Sequence, residues 1–292
     1  MRTGGIEWAL VSDGTFRLDG GAMFGVVPKP LWAAKSPPDD RNRIRLGLHP
    51  LLVRSGGRTI LVDCGIGRKE TGRFPEIYAV GDETDVVRSL AELGVAAGDV
   101  DTVVYTHLHF DHAGGGTRME EGGRAVPVFP NARHVVQRGE LDDAESPTDR
   151  SRASYLPDNW RPIREAGLLD VVEGETELAP GVRTFLMKGH IRCLTGVAIE
   201  AGAEKVVYPS DNVPTSAHVP VPWVMAYDLY PLDTVAFKER FLPQAIDEEW
   251  TVVFGHDPDV GAVKIRRDGA KLALEEVLPA PDLGARSERS RR

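Results

Sequence analysis

Three imidazoles and one carboxylate fall within six consecutive positions of this chain, His107-Leu108-His109-Phe110-Asp111-His112. Imidazole nitrogen and carboxylate oxygen are donors that hold a divalent cation such as zinc at about 2.0–2.2 Å. The run follows an apolar stretch with strand character, Thr102–Tyr105, so it is a loop leaving a buried strand. In extended backbone, side chains two apart share a side, which places His107 and His109 together. A turn at Phe110 then brings Asp111 and His112 to a second point nearby. Ala113-Gly114-Gly115-Gly116 follows, and glycines let the backbone turn tightly and come close to the site.

His107, His109, Asp111 and His112 match the H-x-H-x-D-H signature, and the chain here resembles the metallo-β-lactamase superfamily. The likeness runs from about Leu46 to His256. Along it, Gly189-His190 matches the next ligand histidine, Ser210-Asp211-Asn212 the bridging aspartate, and Gly255-His256-Asp257 the last histidine. The resemblance implies that His107, His109 and His190 hold one metal ion and that Asp111, His112 and His256 hold another. Asp211 then bridges them beside a metal-bridging hydroxide. It also implies two divalent ions, zinc in the first place, with Fe, Mn or Co as the other candidates. Two close cations repel, and the carboxylates of Asp111 and Asp211 offset that repulsion, giving both residues a catalytic part. The fold implied is α/β, a four-layer αβ/βα sandwich with mixed sheets. One departure is that the run Gly189-His190-Ile191-Arg192-Cys193-Leu194 lacks the second Gly-His of a Gly-His-x-x-Gly-His repeat, which argues against a thiol-ester hydrolase.

Around these positions, Asp63 ends the apolar Thr59–Val62 and is expected to orient a ligand histidine from behind. His134 and His49 sit in strand-like runs and are expected to be structural. Cys64 is expected to be a small buried residue. His218 lies in Ser216-Ala217-His218-Val219-Pro220, a pocket-loop candidate. The lactonases that this chain resembles often carry a tyrosine just past the bridging aspartate. Asn212, Val213, Pro214 and Thr215 stand there instead, leaving Tyr227 or Tyr230 to reach in from the following loop. The pocket candidates are Phe24, Trp32, Phe110, Tyr155, Trp160, Trp223 and Met225, with His218, because they flank the ligand motifs in segments without periodicity.

Positioning such a site takes strands. Short runs rich in Val, Ile, Leu, Tyr and Phe recur at Ile44–Val53, Thr59–Val62, Thr102–Tyr105, Arg133–Gln137, Val182–Met187, Gly196–Ala201, Lys205–Pro209 and Thr251–Phe254. A helix is expected over Thr84–Leu93, opening on Thr84 and Asp85 and closing at Gly94, and another over Leu232–Ile246 with an apolar stripe. Each ligand motif follows a strand-like run, so all of them can converge on one sheet edge. Tyr155–Arg161 and Ala217–Tyr230 lack periodicity and are expected to be binding loops. One domain over 1–280 and a flexible tail over 281–292 complete the expected organisation.

Charge and composition exclude several functions. With 44 acidic against 35 basic residues the net charge is −9, and the one basic cluster is the tail Arg286–Arg292. Phosphate-backbone binding needs clustered Lys and Arg, so no nucleic-acid partner is expected. No apolar run reaches the roughly 20 residues of a membrane span. Met1–Leu10 carries charge inside its apolar stretch and does not read as a signal peptide, so a cytoplasmic protein is expected. Two cysteines, Cys64 and Cys193, make no disulfide framework.

The run Thr106–Gly115 together with Ser210–Thr215 looks like the N-acyl homoserine lactonase and methyl parathion hydrolase branch of the superfamily. That resemblance implies a binuclear hydrolase opening lactone or ester bonds in a small molecule, of the quorum-quenching kind, and a homodimer. The alternatives are an organophosphate or aryl esterase, an RNA phosphodiesterase, a β-lactamase, and an inactive metal-binding scaffold. The acidic balance opposes the nuclease. All seven ligand positions are present, which opposes the scaffold.

Overall fold

A computed structural model describes residues 1–81, 84–269 and 271–281. The tail expected over 281–292 therefore lies, Pro281 apart, outside the described residues. Two seven-stranded sheets face each other. The first runs, in spatial order, Arg2–Thr3, Ile6–Leu10, Leu51–Ser55, Arg58–Val62, Thr102–Val104, Arg133–Gln137 and Leu169–Val172. The second runs Glu177–Ala179, Val182–Met187, Leu194–Ala201, Glu204–Tyr208, Thr251–Val253, Val260–Asp268 and Lys271–Pro279. Both are mixed. Arg58–Val62, Thr102–Val104, Arg133–Gln137 and Leu169–Val172 pair in parallel, as do Glu204–Tyr208 and Thr251–Val253, and the other pairs next to them are antiparallel.

Burial explains the layering. Trp8, Val53, Ile60, Val62 and Val104 from one sheet meet Val182, Val197, Ile199, Val206 and Val253 from the other in a single apolar cluster. The opposite face of the first sheet, with Leu61, Val103 and Val136, packs on Val86 and Leu90 of helix Val86–Glu92 and on Leu141 of helix Arg138–Glu145. The outer face of the second sheet, with Val207, Val252 and Val263, takes Phe241, Leu242 and Ala245 of helix Pro231–Asp247. Alternating residues thus fill two faces of each sheet, the pattern of strands covered on both sides. The architecture is the four-layer αβ/βα sandwich.

Local chemistry sets the element ends. Asp85 caps helix Val86–Glu92 by accepting the Arg88 N–H at 2.8 Å. The stretch read as one strand over Ile44–Val53 is two, Arg43–Gly47 and Leu51–Ser55, in different sheets. Pro50 has no N–H to give a ladder, and the chain changes sheets at His49-Pro50. Arg43–Gly47 pairs instead with Thr15–Asp19 in a two-stranded sheet that leans over the site. A further apolar cluster lies beneath it, containing Phe16, Met23, Phe24, Trp32, Ile44, Leu46, Phe110 and Met225.

Candidate metal centre

The parallel pairings put the carboxyl ends of Arg58–Val62 and Thr102–Val104 on one edge. Val182–Met187, Glu204–Tyr208 and Thr251–Val253, which run in one common direction, end on the facing edge of the second sheet. Asp63, the His107–His112 loop, His190, Asp211 and His256 follow these ends. His109 closes a one-residue bridge with Tyr155, after which Phe110–Ala113 forms one helical turn, its Ala113 N–H bonded to the His109 carbonyl. That turn swings Asp111 and His112 to the second point. The glycines after it are required by space rather than torsion. A Cβ on Gly115 would stand 2.0 Å from the Cys64 carbonyl oxygen, and one on Gly114 would stand 2.1 Å from that of Ile66.

The donor atoms gather in three overlapping groups, His107 with His109 and His190, His107 with His112 and Asp211, and Asp111 with His112 and His256. His190 Nε2 lies 3.1 Å from His109 Nδ1, and His256 Nε2 lies 3.0 Å from His112 Nε2. Asp211 divides its carboxylate between the two ends. Oδ1 is 3.3 Å from both His112 Nε2 and His256 Nε2, and Oδ2 is 3.5 Å from His190 Nε2. Asp111 Oδ2 stands 3.7 Å from His256 Nε2 and 3.9 Å from His112 Nε2. Ligands at about 2.0–2.1 Å around a tetrahedral ion are spaced about 3.3–3.4 Å from each other, and these separations bracket that value.

A second observation points the same way. His107 Nε2 and Asp211 Oδ1, of residues in one donor group, are buried without a hydrogen-bond partner. Buried polar atoms are costly unless paired, and a cation is what two such atoms of one donor group accommodate. The residues present therefore fit a divalent metal.

Outer partners fix which nitrogen faces inward. His112 Nδ1–H donates to Asp63 Oδ2 at 2.9 Å, His190 Nδ1–H to Asp228 Oδ1 at 3.1 Å, and His256 Nδ1–H to the Gly47 carbonyl at 2.9 Å. His107 Nδ1–H donates to Thr106 Oγ1 at 3.0 Å. Each leaves an Nε2 lone pair for the centre. Asp63 also accepts from the Thr106 amide and hydroxyl at 2.8 Å, so a single carboxylate braces both the loop backbone and the His112 ring.

Protonation follows from surroundings. Burial, with the neighbouring imidazoles, holds His107 and His109 well below the usual histidine range, keeping them neutral. Burial opposes charge on His112 too, but the carboxylates of Asp211, Asp63 and Asp111 outweigh it and raise its pKa well above the ordinary value. Burial likewise works against the Asp211 carboxylate, yet His112, His256 and His190 hold it ionised, well below the usual range. Metal binding displaces such protons.

Above the centre lies a cavity of ≈ 250 Å³. His109, Asp111, His190, Asp211 and His256 form its floor, and Leu18, Met23, Leu46, Phe110, Met225 and Leu229 form apolar walls. Of the pocket candidates, Phe110 and Met225 face it. Phe24 and Trp32 do not; they stack at 5.4 Å inside the core under the small sheet. Trp223 packs edge-on against Phe24. Trp160 belongs to the core of the first sheet's helical side. Tyr155 packs on His109 with ring centroids 4.9 Å apart and donates its hydroxyl to Glu140, so it supports the His109 ring from behind. His218 stacks on Phe24 at 4.7 Å and donates through Nε2–H to the Met23 carbonyl. Burial pushes its pKa down to about 4, a neutral strap rather than a substrate contact. His49 and His134 are buried and bonded to the Asp257 and Phe129 carbonyls. Tyr227 lines the cavity and Tyr230 does not.

Four contributors had no distinguishing mark in the sequence. Asp228 sits in an aperiodic loop 38 positions from His190. Glu140, on helix Arg138–Glu145, accepts the Leu108 N–H at 2.7 Å. Tyr78 and Arg150 line the cavity from segments without a motif.

Residues 49–256 match the model of the metallo-beta-lactamase superfamily. The chain belongs to that superfamily. A crystal structure of a probable metal-dependent hydrolase from Staphylococcus aureus is similar at 35% identity and a TM-score of 0.87, over 94% of this chain and 98% of that one. A probable metallo-hydrolase of Mycobacterium tuberculosis is 27% identical over 85% of this chain and 88% of its own length. The N-acyl homoserine lactonase AttM of Rhizobium radiobacter is 26% identical over 73% and 82%. This superfamily member is a metal-dependent hydrolase with a histidine-rich site for divalent metal. Among the described residues no helix is long and apolar enough to cross a membrane.

Proposed function

We propose that this hydrolase opens carboxylic esters, lactones foremost, at a centre of two divalent cations, zinc by the chemistry of its donors. The observation that carries the reading is Asp211, whose two oxygens face different histidine groups at the floor of a largely apolar cavity. A carboxylate between two cation sites is how close positive charges are held together. When bound, such ions polarise a carbonyl and make water acidic enough to attack at neutral pH.

The chain's own groups supply the rest. In this reading His107, His109 and His190 hold one ion, and Asp111, His112 and His256 the other. Asp111 lines the cavity floor 3.7 Å from His256 Nε2, placed to take the proton that leaves the attacking water and return it to the departing alkoxide. Burial raises the phenols of Tyr78 and Tyr227, the latter to about 12, so at neutral pH both offer an O–H to substrate oxygen. The wall residues Met23, Leu46, Phe110 and Met225 take an aliphatic portion and keep water from it. The AttM relative carries the name of a lactonase, which supports the same choice of substrate.

Metal analysis of the purified chain is expected to give two equivalents, and a single equivalent would remove the binuclear reading. A panel of acyl homoserine lactones, aryl esters and phosphotriesters then ranks substrates, with lactones expected first. His109→Ala is expected to abolish turnover and lower metal content. Lactonase activity surviving in that variant would assign the reaction to another site.

A further inference from the structure

We propose that Arg150 is the specificity-determining residue of the cavity, recognising a carboxylate on the part of the substrate remote from the bond that breaks. The inference rests on the hydrolase reading above and names a substrate class for it. Among the described residues, Arg150 is the one Lys or Arg side chain in the cavity lining, whose walls are otherwise apolar or hydroxylic. Its guanidinium is held from one side. Nη2 donates to the Ala226 carbonyl at 2.5 Å and to the Asp228 carbonyl at 3.3 Å. A guanidinium has five N–H donors, and those on Nε and Nη1 meet no protein acceptor among the described residues. No carboxylate of the described residues pairs with it, although Arg43, Arg152, Arg164, Arg183 and Arg192 of this chain all have acidic partners.

Placement ties this cation to the reacting centre. Asp228 accepts from Arg150 through its backbone carbonyl and from His190 through its carboxylate. One residue therefore spans the distance between the guanidinium and a ligand ring. Met225 and Tyr227, on the same pinned loop, also line the cavity. A substrate with its carbonyl on the floor thus runs its apolar chain along Met225 and ends beside Arg150. In a protein of net charge −9, an anionic ligand is otherwise repelled. A fixed arginine overcomes this because its fork binds a carboxylate with two parallel hydrogen bonds, and anchoring lowers the entropy lost on binding.

The test compares matched pairs on the metal-loaded protein. N-hexanoyl homoserine lactone is set against its counterpart ending in a carboxylate, and dimethyl adipate against monomethyl adipate. Wild type is expected to favour the anionic member of each pair in kcat/KM through a lower KM. In Arg150→Gln the ratio between members should fall about tenfold or more, and Arg150→Lys should retain part of it. Absence of a preference in wild type, or an equal fall for both members in Arg150→Gln, overturns the proposal and leaves Arg150 a loop brace. If neither pair is hydrolysed, the substrate reading fails separately. Calorimetric binding of monomethyl adipate then decides the matter: affinity lost in Arg150→Gln supports the anion site, and equal affinity in both proteins refutes it.

Discussion

Asp228 shows how much of the histidine-rich site sits behind the rings that form it. Its carboxylate accepts from His190 Nδ1–H, which fixes the ring and leaves Nε2 toward Asp211. Asp63 does the same for His112 from the other sheet. Loss of such an outer partner typically lowers metal affinity or activity 10–100-fold. Asp228→Ala is therefore expected to weaken zinc binding by about 10–100-fold, and Asp228→Asn, which keeps an acceptor but not the charge, by less. Competition with a chromophoric chelator measures both. Unchanged affinity in the alanine variant would show that His190 is held by packing alone. Asp63 was legible in the sequence because it ends the apolar run Thr59–Val62, as the histidine run follows its own. Asp228 was not, because loop positions carry no periodicity that reports direction. The same limit explains the aromatic pocket candidates: Phe24, Trp32 and Phe110 share residue type and irregular surroundings, yet Phe110 alone of the three faces the cavity.

Elements convert sequence order into convergence. The ligand motifs could be placed because each follows an apolar run, and parallel pairing sends successive strand ends to one edge. The hairpin Val260–Asp268 with Lys271–Pro279 was missed because its second strand is exposed and its sequence mixes Lys, Arg and Glu with Leu. It lies at a sheet edge, where burial does not impose an apolar pattern.

Helix Pro231–Asp247 shows a further role for an element, since it holds the cavity loop through a buried lysine. Lys238 Nζ donates to the Pro220 carbonyl at 2.8 Å and to that of Trp223 at 2.9 Å, and burial pulls its pKa down to about 7 against the opposing charge of Asp228. An unfolded lysine keeps its proton to about pH 10.4. Between about pH 7 and that value the unfolded chain binds the extra proton, so this group makes stability rise with pH across the window. Below about pH 7 both states are protonated and its penalty is constant. Lys238→Met is expected to remove this rise, seen as a flatter profile of melting temperature from pH 7 to 10. Identical slopes in the two proteins would refute a lowered lysine pKa.

At the scale of the molecule, the centre joins two halves. His107, His109, Asp111 and His112 leave the first sheet, whereas His190, Asp211 and His256 leave the second. Across the join run polar contacts such as Ser210 Oγ–H donating to Thr106 Oγ1 at 2.9 Å and the Tyr208 hydroxyl reaching Asp63 at 3.4 Å. The apolar cluster between the sheets holds the halves together away from the site. Metal removal should therefore loosen the edge without unfolding the sandwich. A ligand that binds only the folded state stabilises it by about 2.7 kcal/mol at a hundredfold excess over its Kd. Stripping with chelator is expected to lower the melting temperature, and adding zinc back should raise it in proportion to the logarithm of free zinc. Amide exchange should quicken on stripping over 106–116 and 189–194, while Ile60, Val104, Val197 and Val206 stay protected. A melting temperature indifferent to zinc would mean that the metal adds chemistry to a join already complete. Faster exchange throughout both sheets would mean that the two halves depend on the metal to stay together.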